Sequence, residues 1–444
     1  MKRITILLLF LMCSILKIYP QNENGFQFER KSKSAYKINF VNFNNLIIIK
    51  IKLNGKPFNF LLDTGVDNTV VFGLEGNAEA LMKNANKILI KGVSGAKQTF
   101  AYQTSHNKLE IGKLIDKSHE IYAIFDPDFN LSDKIGYPVQ GIIGTDFFKN
   151  HIVKINYITN NIKVYNPEKY NRKNRRYDLL NLRFIRNKPY IQTAIQQTDS
   201  LETFTLLLDS GSGDAIWVKP YPDIQMPSKT FDDILGFGFA KIINGKKAKA
   251  KAVKLGGYTL DSPKIAYPDS TAYEGVPTIM KSGILGSEVM RRFHWIFDYK
   301  NQKVYIKPNS DFSDPFNYDM SGLILKYDGF QQIARFDNLF ANPIAGVQTD
   351  NSDGYNKIKQ PTFTIELRPI LIVDAVRPNS SAYYAGFVEG DVLLKIKGRS
   401  TFRYNLEEIY EILSSKEGET VEFLIDRNGS QYNKSLTLKS RFLE

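Results

Sequence analysis

Cysteine is almost missing: the 444 residues hold one, Cys13, inside an apolar run near the start. A lone cysteine makes no internal disulfide, and loss of that segment would leave no thiol nucleophile, so cysteine-peptidase chemistry is excluded. Histidine is scarce too. His106, His119, His151 and His294 are the whole set, with no pair at metal-ligand spacing, and no Gly-x-Ser-x-Gly motif occurs. Zinc and serine mechanisms are therefore disfavoured, and no metal or organic cofactor is expected. Long low-complexity tracts are lacking as well. With 43% apolar and 13% aromatic residues the chain has the means to fold, and its length calls for two or three domains.

No apolar run in the first twenty residues is long enough to span a bilayer comfortably. Lys2 and Arg3 precede an apolar stretch from Ile4 to Ile15, and polar residues resume at Gln21. This layout predicts a signal peptide over 1–20 and an exported protein, periplasmic, outer-surface or secreted. A retained anchor is the alternative, since Leu16–Pro20 lacks a small-residue cleavage site; Cys13 lacks the small residues that precede a lipidated cysteine. The formal charge of +13 raises polyanion binding. The densest cationic run, Lys246-Lys247-Ala248-Lys249-Ala250-Lys251, follows Asn244-Gly245 and has no interleaved aromatics, so it reads as a solvated hairpin. No nucleic-acid partner is expected; weak association with an anionic surface stays open.

What the chain does contain is an internal duplication. Phe60-Leu61-Leu62-Asp63-Thr64-Gly65 recurs as Leu206-Leu207-Leu208-Asp209-Ser210-Gly211. A second element follows each copy: Gly141-Ile142-Ile143-Gly144-Thr145-Asp146 matches Gly283-Ile284-Leu285-Gly286-Ser287-Glu288. A third element is Ile155-Asn156-Tyr157 leading to Val164-Tyr165, against Phe297-Asp298-Tyr299 leading to Val304-Tyr305. Asp63 and Gly144 lie 81 residues apart, Asp209 and Gly286 77 apart. A lone Asp-Thr-Gly occurs by chance in ordinary turns. Three matched elements in register argue for two homologous lobes.

Between these landmarks, period-two alternation predicts strands over Leu46–Leu53, 87–91, 108–111, 190–195 and 253–255. Helix is expected only in short pieces, at 79–83 and after each Gly144-like glycine. Each apolar strand would deliver an acid to its tip, with Gly65 and Gly211 allowing a sharp turn. Thr64 and Ser210 can hydrogen-bond across to the opposite loop. Hydrolysing an amide without a covalent intermediate needs a base to activate water and an acid for the leaving nitrogen. Two carboxylates sharing one proton supply both, because acids roughly 3 Å apart do not ionise together cheaply.

In these motifs the chain resembles the pepsin and retropepsin superfamily of aspartic peptidases, over about residues 36 to 308. The resemblance implies a mainly β fold of two lobes, 36–167 and 178–308, with Asp63 and Asp209 catalytic and Thr64, Gly65, Ser210 and Gly211 supporting them. It implies a substrate-covering flap at Gly92-Val93-Ser94-Gly95 and a counterpart hairpin at Gly236-Phe237-Gly238. Val66 and Ser212 stand where many members carry alanine, and the first flap has no tyrosine.

Residues 309–318 read as a linker, with Pro315 among polar residues. Beyond it, Ile370–Val376 reads as a strand, Pro378–Gly386 as a capped helical turn and Gly390–Gly398 as a turn into another strand. Leu406, Ile409, Tyr410 and Leu413 share a helical face, and Asn428-Gly429 joins two final strands. This run resembles a PDZ domain, most specifically over Ser380–Asp391, so 319–444 is expected as a PDZ-like α+β domain. The resemblance implies a peptide or chain-end ligand captured by strand addition, with Ser321-Gly322-Leu323-Ile324 as the carboxylate loop. About 45 residues separate that loop from Ile370, which suggests an insertion over the groove.

The leading expectation is an exported aspartic endopeptidase with a polypeptide substrate and a PDZ-like domain that recruits polypeptide. The competing class is a non-catalytic cell-envelope protein that binds or scaffolds peptides on the same fold. A third makes the basic surface the point, a catalytically idle body held on acidic glycan or lipid.

Overall fold

The structure is a computed structural model, and it describes residues 25–30, 33–72, 85–90, 99–126, 131–171, 176–221, 224–237, 242–270, 282–336 and 363–442. The expected signal peptide (1–20), the helical stretch 79–83 and the flap residues Gly92, Val93, Ser94 and Gly95 lie outside the described residues.

The first lobe is a nine-stranded sheet built on alternation. In Leu46–Leu53, Ile47, Ile49, Ile51 and Leu53 are buried while Lys50 and Lys52 face water. The strand that carries the first acid, Lys56–Leu62, is apolar at its end and runs parallel to Gly141–Ile143, with Leu61 opposite Ile142 and Leu62 opposite Ile143. Gly141–Ile143 in turn lies antiparallel to Thr69–Phe72. The second lobe repeats this arrangement. Leu201–Asp209 runs parallel to Ser282–Gly286, which lies antiparallel to Ile216–Val218. The duplication read in the sequence is thus a duplication of strand topology, and the short helices Thr145–Phe148 and Ser287–Met290 follow its glycines.

A six-stranded sheet joins the lobes from beneath. Its centre pairs Ile152–Asn156 of the first lobe antiparallel with Phe293–Asp298 of the second. Phe148 stacks on Tyr299 and Trp295 on Phe297 in the core over this sheet. Phe148 of the first lobe packs against Phe297 and Tyr299 of the second, and burying such rings, each removing roughly 150–250 Å² from water, favours the joined lobes.

The C-terminal domain is a sheet ordered Leu323–Phe336, Phe363–Val376, Val392–Ile396, Thr420–Arg427 and Ser430–Thr437, with the helix Leu406–Leu413 against it. Asn405 caps that helix and Glu408 returns the bond to the Asn405 amide, while Leu406, Ile409 and Leu413 turn inward. Asn428 and Gly429 both have positive φ, as a two-residue hairpin of this type requires.

On either side of 337–362, which lie outside the described residues, Leu323–Phe336 and Phe363–Val376 pair as one long antiparallel ribbon. Two expectations change here. Asn244-Gly245 does not turn the chain but lies within the strand Ile242–Lys249, where Gly245 lets the strand pass close to the Tyr267 carbonyl. The lysine run is accordingly a strand in the sheet, with Lys247 buried against Asp233 rather than solvated. The segment 309–318 is also packed rather than loose. The fully buried Arg292 donates to the carbonyls of Asp311, Phe312, Asp314 and Pro315, and Phe316 lies against its guanidinium.

Candidate active site

The two acid loops meet where the two strands of the duplication end. Each carboxylate accepts a hydrogen bond from the amide two residues on, Gly65 to Asp63 at 2.7 Å and Gly211 to Asp209 at 3.0 Å. The hydroxyls then cross between lobes. Thr64 Oγ1 donates to the Leu208 carbonyl and accepts from the Ser210 amide; Ser210 Oγ donates to the Leu62 carbonyl and accepts from the Thr64 amide. These four bonds span 2.7–3.0 Å and are fully buried, so each loop is held by the backbone of the other.

Glycine is required by contact at three positions around the acids. A first side-chain carbon at Gly211 would fall 2.2 Å from a carboxylate oxygen of Asp63. At Gly144 it would fall 1.8 Å from the Val66 carbonyl oxygen, because this segment threads directly behind the acid loop; Gly286 meets the Asp214 carbonyl in the same way.

Asp63 and Asp209 lie close enough for each to act on the other's titration. Burial pushes Asp63 well above the usual carboxylate range, the Asp209 charge adds to this, and the Gly65 amide pulls the other way. Asp209 is also raised, again chiefly by burial, with the Asp63 side chain and the Gly211 amide opposing. A pair so placed holds one proton between its members over a wide pH range. The carboxylates open on a cavity of about 920 Å³ whose walls include Trp217, Leu235, Gly236 and Ile284.

The flap tip falls outside the described residues, but the strands that lead to it, Asn86–Ile90 and Thr99–Ile111, pair antiparallel with Ile90 opposite Thr99. The counterpart is a hairpin of Phe231–Phe237 and Ile242–Lys249, and its Leu235 and Gly236 face the cavity. The proposed carboxylate loop is placed elsewhere, at the base of the C-terminal ribbon, with its donors already engaged. Asp319 accepts from the Ser321 amide at 2.9 Å, the Ser321 hydroxyl at 2.6 Å and the Gly322 amide at 3.2 Å, while Ser321 Oγ accepts from the Leu323 amide at 3.0 Å. Ser321, Gly322 and Leu323 therefore do not offer the free amides expected of them.

Sequence reasoning missed Lys188, whose charge lowers both acids, and Tyr190 and Tyr299, which feel Asp209 and Asp63 respectively. Tyr299 had a signal, since it closes the third element of the duplication; Lys188 had none. A buried chain from Thr69 Oγ1 to His119 (2.7 Å) and on to Asp116 (2.8 Å) has the order of a nucleophile, base and acid. Thr69 is fully buried and absent from the cavity, so this chain is a core network. Among the described residues no cluster of His, Cys, Asp and Glu could hold a metal ion.

Comparison with known families agrees with the two modules. Residues 49–147 match the family model described as aspartyl protease, and residues 372–427 match that of the PDZ domain. The chain thus carries an aspartyl protease domain and, towards its C-terminus, a PDZ domain, on a mostly β framework. The aspartyl protease match takes in Asp63 and Gly144 but stops short of Asp209. No curated protein matches the chain.

Proposed function

We propose that this protein is an exported aspartic endopeptidase in which Asp63 and Asp209 share one proton and activate water against a peptide carbonyl. The protease-like role has the support of the aspartyl protease domain itself. The dyad mechanism rests on one observation: two acids from two copies of one loop lie side by side in the lining of one cavity, each acting on the other's titration. The ionised member takes a proton from water as the oxygen attacks. The protonated member supplies the proton that the leaving nitrogen needs, so the pair returns to one proton after each turnover. The four crossing bonds hold both carboxylates without reorganisation during the reaction.

The second-lobe hairpin lines the cavity, the first lobe has an antiparallel hairpin of its own, and an extended polypeptide suits a cleft of that kind. Export is proposed from the Lys2-Arg3 and Ile4–Ile15 pattern alone. Among the described residues no helix is long and apolar enough to cross a membrane.

The test incubates the purified chain and its Asp63→Asn variant with an unstructured protein mixture at several pH values and reads new peptide ends by mass spectrometry. Cleavage by the parent alone supports the dyad. Cleavage by both sinks it, and silence from both turns the reading to a peptide-binding protein on the same fold.

A further inference from the structure

In a PDZ fold a chain end is bound between one strand and the long helix, its carboxylate held by loop amides. Here that position is filled from within. Asp319 takes the amides and hydroxyl of the Ser321-Gly322 loop, and Arg377 adds a charge-assisted bond to the same carboxylate. The groove beyond is closed by direct contact. Met320 N donates to the Leu413 carbonyl at 3.0 Å, and Leu325 N donates to the Tyr410 hydroxyl at 2.9 Å. An added strand needs roughly 4.8 Å on its hydrogen-bonding side alone. The strand and helix are too closely joined to admit one.

The same Arg377 leads out of the domain. Its guanidinium binds Asp233, on the second-lobe hairpin, and lies over the Tyr318 ring, whose hydroxyl donates to Asp233 at 3.0 Å. Asp233 also meets Lys247 at 3.2 Å, and Lys247 stands 3.8 Å from Asp214, in the loop that follows Asp209. Burial alone would lift Asp233, but Lys247 and Arg377 hold its carboxyl below the ordinary range. Charges alternate along Asp319, Arg377, Asp233, Lys247 and Asp214, from the PDZ loop to the catalytic loop. The cavity over the dyad has a matching wall: Glu407, Tyr410, Glu411 and Ser414, from the PDZ helix and its C-terminal end, line it together with Asp63 and Asp209.

We propose that the carboxylate loop of this PDZ domain is liganded by the chain's own Asp319, and that the Asp319–Arg377–Asp233 bridge fixes the domain as a wall of the catalytic cleft. Arg377 is then a positioning residue, and the helix Leu406–Leu413 is a surface that substrate meets. The second half rests on the peptidase reading; the first does not. Both are tested in an Asp209→Asn chain, which binds without cutting.

Two labelled decapeptides, identical but for a free or amidated C-terminus after a final valine, are titrated by fluorescence anisotropy. Equal affinity, or none for either, is expected. A preference for the free acid of about tenfold (~1.4 kcal/mol) overturns the self-liganded loop. Hydrogen exchange is then followed in Arg377→Met and Arg377→Lys. Faster exchange in 231–237 and 406–413 together is expected, smaller in the lysine variant, with 201–209 still protected. Unchanged exchange in both segments overturns the bridge. Should Arg377→Met unfold globally, Asp319→Asn is judged by the same two segments. In the cutting chain, Arg377→Met should raise KM several-fold with the pH profile of kcat unchanged, and an unchanged KM removes the wall. A parent that cuts nothing would fail the peptidase reading alone, since the peptide and exchange results stand without it.

Discussion

The two lobes carry one loop twice, on matching strands and with a matching grip on each other. Thr64 and Ser210 make the same two bonds in mirror fashion, so the backbone around each acid is equivalent. The surroundings are not. Asp63 is the more deeply buried acid, and burial raises both above the ordinary carboxylate range. The second-lobe loop is joined through Asp214 and Lys247 to a charge network that ends in the PDZ domain; Lys188 acts on both acids. Symmetry of fold thus brings the acids together, and their surroundings distinguish them.

The largest effect expected on this comparison comes from removing either acid. Asp63→Asn and Asp209→Asn should each reduce kcat by about 100- to 10,000-fold, because base and acid roles need both members. Measured rates within tenfold of the parent for either variant would mean that the lobes are not a catalytic pair. Next comes Gly211→Ala. Its methyl group would press on the Asp63 carboxylate, so activity should fall nearly as far while the melting temperature changes much less. Gly144→Ala should show the reverse weighting, since its methyl meets backbone oxygen and costs about 1–3 kcal/mol or more in denaturant unfolding.

A third measurement separates the two acids by stability. Both carboxyls are raised by burial above the roughly 3.9 of a free aspartate, so the folded chain binds their proton more tightly than the unfolded chain. Their contribution is therefore full below the free value and is lost as pH rises through the folded values. An asparagine carries no such penalty. Asp63→Asn should melt above the parent at neutral pH, with the gap closing in acid, and Asp209→Asn should show a smaller gap. Equal gaps would remove the asymmetry. For the same reason the rate should be bell-shaped in pH, falling in acid as the pair takes a second proton and in base as it loses the shared one.

The smallest effects belong to the crossing hydroxyls. Thr64→Val and Ser210→Ala each leave a buried amide and carbonyl without partners, worth about 1–3 kcal/mol by denaturant titration. If the grip is symmetric, the two losses should agree, and a double variant should lose less than their sum, because both changes disrupt one shared network.

Much of the peptidase body was legible because its signals are local and repeated. An apolar triplet before Asp-Thr-Gly or Asp-Ser-Gly reads as a buried strand with an acid at its tip, and the strands over Leu46–Leu53 and 190–195 follow from alternation. The lysine run misled for a related reason. Asn-Gly is a turn signal by backbone preference, but strand pairing with Phe231–Phe237 and Lys264–Pro268 outweighs that preference of about a kilocalorie. Arg292, one of many basic residues in the sequence, acts as the clamp on 309–318 only because four carbonyls converge on it.

The sequence by itself determined the duplication, the identity of both acids, the hydroxyls beside them and the PDZ segment around Ser380–Asp391. Each is a short pattern whose meaning lies in residue type and spacing. Only the tertiary structure decided that Asp63 is the more deeply buried acid, that Asp319 fills the PDZ loop and that Arg377 reaches Asp233 across 144 positions of chain. Burial and charge pairing depend on which surfaces meet, and no local pattern records that.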